Sequence, residues 1–236
     1  MAGILFIISA PSGSGKSTLV NQLRSLVDNL EFSVSYTTRV PRGSEEEGRE
    51  YHFTTREEFE RMVRADEFLE YAEVFGNYYG TARRSLNDAR AHGKDLLLDI
   101  DVQGASQVRQ KMPDAVSIFV MPPTPDILAT RLRNRSRAEG GVQEDVIERR
   151  LAEAKQEIEN YREYSYILVN DILARAEEEL SAIVTSERIR REGQKNTQDA
   201  DRLIKVAENC KQENAGQRVR PVLAAFGLLD PETANA

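Results

Sequence analysis

The fold is decided by the stretch Ala10-Pro11-Ser12-Gly13-Ser14-Gly15-Lys16-Ser17-Thr18. It follows the apolar run at 4–8 and precedes leucines at helical spacing, Leu19, Leu23 and Leu26. This order of strand, glycine-rich turn and helix is the context in which a phosphate-binding loop occurs. The glycines let consecutive backbone N–H groups point at an anion, and the helix N-terminus adds partial positive charge. Residues 10–18 are therefore predicted to bind the phosphates of a nucleoside triphosphate.

Two side chains of this loop have predicted roles in that site. Lys16 can reach the β- and γ-phosphates, and the Ser17 hydroxyl can ligate Mg²⁺. Ala10 stands where the first glycine of the usual pattern would be. An ordinary glycine-rich turn before a helix is the alternative. The strand in front of the loop and the intact Gly15-Lys16-Ser17 favour the phosphate-binding loop.

The composition excludes several classes of protein. The chain has 236 residues, of which 40% are hydrophobic and 30% charged, as is typical of globular proteins. A net charge of −7 argues against a general nucleic-acid binder, whose affinity would come from neutralising phosphates. One cysteine and two histidines are too few for a disulfide or a structural zinc site. The apolar start is too short to span a membrane, so we expect a cytoplasmic protein.

The rest of the pattern predicts an α/β core interrupted by a β-rich segment. Core strands are predicted at 96–101, 116–121 and 166–170, and helices at 85–92, 126–135, 144–161 and 173–190. The alternation of strands and helices implies a parallel sheet. Short strands are predicted at 32–38, 51–53 and 68–74, and a turn at 76–81. A helix capped by Thr55 is predicted between them.

The β-rich segment also carries side chains suited to a phosphorylated acceptor. Arg39 and Arg42 lie close together on a loop, and Tyr51 and Tyr79 follow, so guanidinium and phenol groups could clamp a phosphate monoester. Glu70 could accept the N–H donors that a guanine edge presents. Taken singly, each residue is more typical of a solvated loop or a half-buried strand.

Taken together, the motifs resemble the guanylate kinase family over 4–190. The resemblance rests on 9–18, on Phe-Ser-Val-Ser-Tyr-Thr-Thr-Arg-Val-Pro-Arg at 32–42, on Gly-Arg-Glu-Tyr-His-Phe at 48–53, on Gly-Asn-Tyr-Tyr-Gly-Thr at 76–81 and on Leu-Asp-Ile-Asp-Val-Gln-Gly at 98–104. It implies a P-loop kinase fold with a parallel five-stranded sheet flanked by helices. It also implies transfer of the γ-phosphate of ATP to GMP or dGMP, with Mg²⁺ and without a covalent intermediate, in purine nucleotide metabolism.

The resemblance also implies a division of the chain and a set of site residues. The P-loop core would comprise 1–31, 82–130 and 151–190, with a GMP-binding insertion at 32–81, a helical lid at 131–150 and an extension at 191–236. The residues implied to bind GMP are Ser35, Arg39, Arg42, Tyr51, Glu70, Tyr79, Thr81, Asp99 and Gly104. Arg131 and Asn170 would join residues 10–18 at ATP, and Ser17 and Asp99 would serve Mg²⁺. The implied catalytic groups are Lys16, Arg39, Arg135 and Arg150.

Several points stay open in the sequence. Asp101 has either a site role or a structural hydrogen bond. The lid segment 136–143 is longer than the family usually shows, which leaves the position of Arg137 uncertain. The extension could be a docking helix, a contact in a homo-oligomer or an unstructured tail. A phosphopeptide-binding scaffold is disfavoured by the intact loop, and a kinase for a ribose bisphosphate by Ser35, Glu70 and Thr81.

Overall fold

The computed structural model describes residues 3–74, 76–138, 141, 143–193 and 198–229. Contacts divide the chain into two compact units, the first made of Met1–Ile8 and Asp28–Val116 and the second of Ser9–Val27 and Ser117–Ala236. In chain order the strands and helices are β1 (Leu5–Ser9), α1 (Lys16–Leu26), β2 (Leu30–Phe32), β3 (Ser35–Thr37), β4 (Tyr51–Phe53), α2 (Arg56–Arg64), β5 (Phe68–Val74), β6 (Asn77–Ala82), α3 (Arg83–Ala91), β7 (Asp95–Asp99), α4 (Val102–Lys111), β8 (Val116–Met121), α5 (Pro125–Ala138), α6 (Glu144–Glu159), β9 (Tyr166–Val169), α7 (Leu173–Glu192), α8 (Gln198–Cys210) and α9 (Gly216–Ala225).

The predicted parallel sheet is confirmed, with five strands in the order β2-β7-β1-β8-β9. Every residue of β1, β8 and β9 is buried, as expected for parallel strands with both faces covered. Register places Asp99, the last residue of β7, level with Ile8 of β1. Asp99 therefore lies at the carboxyl end of the sheet, the edge at which α/β proteins bind ligands.

A second sheet has the strand order β4-β3-β6-β5. One of its faces packs on α2 through Phe59, Met62 and Phe68. The α2 helix begins as predicted, because the Thr55 hydroxyl accepts a hydrogen bond from the N–H of Glu58 at 3.2 Å.

Two sequence predictions in this region are wrong. The expected turn at 76–81 is largely strand β6, which pairs with β3 and β5. The expected single strand at 32–38 is two strands, β2 in the parallel sheet and β3 in the second sheet. Alternation of apolar and polar residues predicts a strand, but it does not predict which sheet the strand joins.

Helix α4 is an element that the sequence analysis did not predict. Asp101 begins it as N-cap, and its carboxylate accepts a hydrogen bond from the N–H of Gly104 at 2.7 Å. Of the two roles left open for Asp101, the structural hydrogen bond is observed, because its carboxylate caps a helix.

The extension folds onto its own unit through two helices. Gln212 N–H donates to the Ser165 carbonyl at 3.0 Å, next to the edge strand β9. The Arg218 guanidinium pairs with Glu179 of α7 at 2.7 Å, and α9 buries Val219 and Val222. Of the three roles left open by sequence, docking on the chain itself is the one observed for 198–229. Among the helices that the structure describes, none is long and apolar enough to cross a membrane.

Candidate nucleotide-binding sites

The predicted phosphate-binding loop has the backbone shape that an anion cradle requires. Gly13 and Gly15 adopt φ angles of 88° and 90°, in the left-handed region that favours glycine. Gly15 is the N-cap of α1, so no side chain caps the helix, and its first turn carries no acidic residue. No N-cap side chain therefore competes with a ligand for the first N–H groups of α1, as at phosphate sites on helix N-termini.

Two predicted ATP residues hold this loop in shape. The Ser14 carbonyl accepts hydrogen bonds from the Asn170 side-chain amide at 2.8 Å and from Arg131 at 3.2 Å. Arg131 also donates to the Asn170 carbonyl at 2.9 Å. A Cβ on Gly15 would lie 2.3 Å from the Asn170 amide nitrogen, so glycine is required there for space as well as for its φ angle. The resemblance implies that Asn170 lies at ATP, and the structure adds that its amide nitrogen is bonded to the loop backbone.

Arg131 is partly buried, and Asn170 is buried. Burial lowers the pKa of Arg131, against a smaller opposing effect of Asp171. Asn170 is 3% exposed, and its side-chain oxygen has no hydrogen-bond partner among the described residues. The Ser14 hydroxyl is buried and likewise unpaired there.

The other predicted donor-site residues lie on the same unit. Lys16 is the first residue of α1, and Ser17 and Thr18 follow it with exposed side chains. Arg135 lies one turn after Arg131 on α5, and Arg150 is half-buried on α6. The remaining predicted loop residues are Ala10, Pro11 and Ser12, of which Ser12 is exposed. Arg137 lies near the end of α5 with an exposed side chain. Positions 139, 140 and 142 of the lid segment 136–143 fall outside the described residues.

The first unit brings five predicted GMP residues onto one face of the second sheet. Register pairs Ser35 with Tyr51 and Glu70 with Thr81, while Tyr79 pairs with Thr37. Side chains alternate between the faces of a strand, so these residues share one face, and Tyr36 and His52 lie on the other, towards α2. A shift in register between Phe68 and Glu70 puts Phe68 on that other face as well, against Tyr36. The face that carries the predicted site is polar, and the opposite face belongs to the small core.

A cluster of one arginine and two tyrosines occupies one part of this polar face. The Arg39 guanidinium donates through Nε to the Tyr79 hydroxyl at 3.2 Å. It also lies 5.3 Å from the centre of the Tyr51 ring, and the two tyrosine rings are 5.8 Å apart. Arg39 is only 8% exposed. Its guanidinium is nevertheless charged, because the Val40 carbonyl and the Glu45 carboxylate accept its hydrogen bonds. Arg42, predicted with them, has an exposed side chain on the loop beyond.

Glu70 occupies another part of the same face. It is 3% exposed, and its carboxylate lies over the start of α4, where a Cβ on Gly104 would meet it at 2.3 Å. Burial raises the pKa of Glu70 to about 7, with hydrogen bonding from Thr81 opposing the shift and the nearby Asp101 adding to it. A buried acceptor of this kind can bind an N–H donor strongly, because little water competes for it.

Among the described residues, no cluster of three or more His, Cys, Asp or Glu side chains comes together. Mg²⁺ at nucleotide sites keeps several waters and uses substrate phosphates with one or two protein oxygens, so it needs no such cluster. Ser17 and Asp99 supply oxygens of the hard type that Mg²⁺ prefers.

The structure adds one residue that the sequence analysis missed. Glu45 binds Arg39 through both carboxylate oxygens, at 2.9 and 3.0 Å. The available signal was the regular spacing of Arg39, Arg42 and Glu45, three residues apart in the sequence.

Comparison with known proteins shows which family the chain is similar to. A family model described as guanylate kinase matches residues 3–187, which include both groups. A guanylate kinase from Koribacter versatilis is 56% identical over 233 residues, 98% of this chain and 100% of that protein. One from Escherichia coli is 48% identical over 201 residues, 84% of this chain and 95% of that protein. A crystal structure of guanylate kinase from Anaplasma phagocytophilum aligns with a TM-score of 0.65 at 36% identity, over 80% of this chain and 87% of that one.

Proposed function

The chain belongs to the guanylate kinase family, and we propose that the two groups of residues described above hold its two nucleotides. The reaction is transfer of the γ-phosphate of ATP to GMP, giving ADP and GDP. The phosphate-binding loop would hold ATP, and the polar face of the second sheet would hold GMP. Glu70 is the observation that carries the acceptor assignment, since a phosphorylated acceptor without a base has no use for a buried carboxylate there.

The acceptor face offers complementary groups for both ends of GMP. Guanine presents N1–H and a 2-amino group, and an ionised Glu70 accepts both, with Ser35 and Thr81 beside it. The phosphate of GMP would bind Arg39, Tyr51 and Tyr79, with Arg42 reaching it from the loop. Asp99 and Gly104 complete the proposed acceptor set.

The donor group supports transfer by positioning and charge, without a covalent intermediate. The GMP phosphate oxygen would attack the γ-phosphorus in line, and charge would spread over the equatorial oxygens. Lys16 and the loop N–H groups would hold the β- and γ-phosphates, and Arg131 would keep the loop in shape through Ser14. Arg135 and Arg150 would stabilise the transferring group. The acceptor is already an anion at neutral pH, so no general base is needed.

Mg²⁺ would neutralise phosphate charge, with Ser17 as ligand and Asp99 supporting its water shell. ATP, GMP and Mg²⁺ are the proposed ligands, and dGMP is a second proposed acceptor. We also propose that the protein works in the cytoplasm.

A coupled assay of ADP release tests the function. ATP–Mg²⁺ is supplied with GMP, dGMP, AMP, CMP, UMP or a ribose bisphosphate. We expect strong turnover with GMP and dGMP and weak turnover with the others. Equal turnover with AMP, or turnover on the ribose bisphosphate alone, would overturn the acceptor assignment.

A further inference from the structure

We propose that Glu45 is a positioning residue for the acceptor phosphate: it fixes the Arg39 guanidinium so that one edge of it, beside the Tyr79 hydroxyl, faces the phosphate of GMP. The proposal rests on the proposed function and deepens it, because it explains how one side of the acceptor site is prepared before GMP binds.

The hydrogen bonds of Arg39 divide its two edges. A guanidinium has five N–H donors. Nη1 donates to the Val40 carbonyl at 2.8 Å and to Glu45 at 2.9 Å, which uses both of its hydrogens. Nη2 gives one hydrogen to Glu45 at 3.0 Å, so the whole Nη1–Nη2 edge is held by that carboxylate.

The other edge is left towards Tyr79. Nε donates to the Tyr79 hydroxyl at 3.2 Å, so that hydroxyl acts as acceptor and keeps its own hydrogen to donate. One Nη2 hydrogen on the same edge remains without a described partner. Together they form a pair of adjacent donors, and a phosphate monoester binds well to such a pair.

Glu45 is itself held in place. Its carboxylate also accepts a hydrogen bond from the backbone N–H of Arg42 at 2.8 Å. Burial alone would raise the pKa of Glu45, but hydrogen bonds from Arg39 and Arg42 lower it below its ordinary value. The carboxylate is therefore ionised at neutral pH and ties the loop to the guanidinium. A long arginine side chain without this bond would lose rotamer freedom each time GMP binds.

Glu50 provides a matched control. It too accepts from an arginine and from a backbone N–H, Arg49 Nε at 2.6 Å and Glu46 at 2.8 Å, in the same loop. Arg49, however, is exposed and is not part of the acceptor set. A general loss of loop stability would weaken GMP binding on substitution of either Glu45 or Glu50, whereas a loss of positioning would do so only on substitution of Glu45.

The test compares Glu45→Gln and Glu50→Gln in the full chain by calorimetric titration with GMP, guanosine and ATP. Glu45→Gln should raise the Kd of GMP roughly tenfold, which corresponds to the loss of about one charge-assisted hydrogen bond. The Kd values of guanosine and ATP should not change. Glu45→Asp keeps the charge, but the shorter side chain cannot reach both the Arg39 guanidinium and the Arg42 N–H. It should therefore weaken the binding of GMP and not that of guanosine or ATP. Glu50→Gln should bind all three ligands as the wild type does.

A double-mutant cycle separates positioning from a general loop effect. In an Arg39→Met background, Glu45→Gln should change GMP binding by less than about twofold, because the group through which it acts is gone. An equal loss in that background, unchanged GMP binding by Glu45→Gln, or tighter GMP binding from release of a competing carboxylate would each overturn the proposal. If wild-type protein bound GMP no better than guanosine, the phosphate assignment of the proposed function itself would fail.

Discussion

The loop at 10–18, proposed to hold ATP, and the polar face of the second sheet, proposed to hold GMP and here called the acceptor face, are built in different ways. The loop is a local structure: nine consecutive residues, two left-handed glycines and the backbone N–H groups of a helix start. The acceptor face is made of side chains from β3, β4, β5 and β6, which are brought together by strand register. A backbone site depends on the absence of a side chain, and a side-chain site depends on the identity of each one. The two should therefore fail in different ways when they are mutated.

Gly15→Ala should have the largest effect, and it should fall on the donor. The new Cβ would meet the Asn170 amide nitrogen at 2.3 Å, on a backbone with φ of 90°. Because the loop N–H groups would shift, we expect kcat/KM for ATP to fall by about 10²–10³-fold. Steady-state kinetics measure this loss. Gly216→Ala is the control, since nothing lies within 4 Å of its Cβ, and it should keep full activity.

Glu70→Gln should have the next largest effect, and it should fall on the acceptor. An amide presents one acceptor and one donor group to guanine where the carboxylate offers two acceptors, so kcat/KM for GMP should fall by about 10- to 100-fold. The KM for ATP should be unchanged. Glu73→Gln, at an exposed position of the same strand, should behave as wild type. Equal losses in the two variants would mean that Glu70 does not read the base.

Guanosine binding should weaken about tenfold between pH 8 and pH 6. The pKa of Glu70 is raised to about 7, so its carboxylate is ionised above that pH and protonated below it. Only the ionised form accepts two N–H donors, and at pH 6 about one molecule in eleven carries it. Guanosine is the probe because the phosphate of GMP titrates with a pKa near 6. Titrations of Glu70→Gln across the same pH range should show no such slope.

Arg218→Met should leave activity unchanged and lower stability. Arg218 pairs with Glu179, which is 8% exposed. Removal of the guanidinium therefore leaves the buried Glu179 carboxylate without this partner. We expect a loss of about 3 kcal/mol in the free energy of unfolding and a lower Tm in thermal denaturation. The double variant with Glu179→Leu should recover much of this loss. A change in the KM for ATP would connect the extension to the donor site.

The same contrast explains how much could be predicted from sequence. The loop was predictable because its chemistry lies in adjacent residues, and the parallel core because its apolar runs are long. The proposed acceptor residues were assigned by family resemblance, since no local pattern shows that Glu70 and Thr81 pair across two strands. The segment 76–81 was predicted as a turn because Gly76, Asn77 and Gly80 outweighed its two tyrosines.

Other features depend on contacts that sequence patterns do not contain. Helix α4 was missed because its short, polar sequence has little apolar periodicity, although Asp101 and Gly104 supply its cap. The bond from the Asn170 amide nitrogen to the Ser14 carbonyl joins residues that are 156 positions apart in the chain. Glu45 lay in an acidic run, and only the folded loop shows that its carboxylate holds Arg39.

The most direct test of the separate sites is a paired titration of Gly15→Ala and Glu70→Gln, each with ATP alone and with GMP alone. We predict that Gly15→Ala weakens ATP binding and leaves GMP binding at the wild-type level, and that Glu70→Gln does the reverse. If either variant weakened both nucleotides equally, the assignment of ATP to the loop and GMP to the polar face would be contradicted.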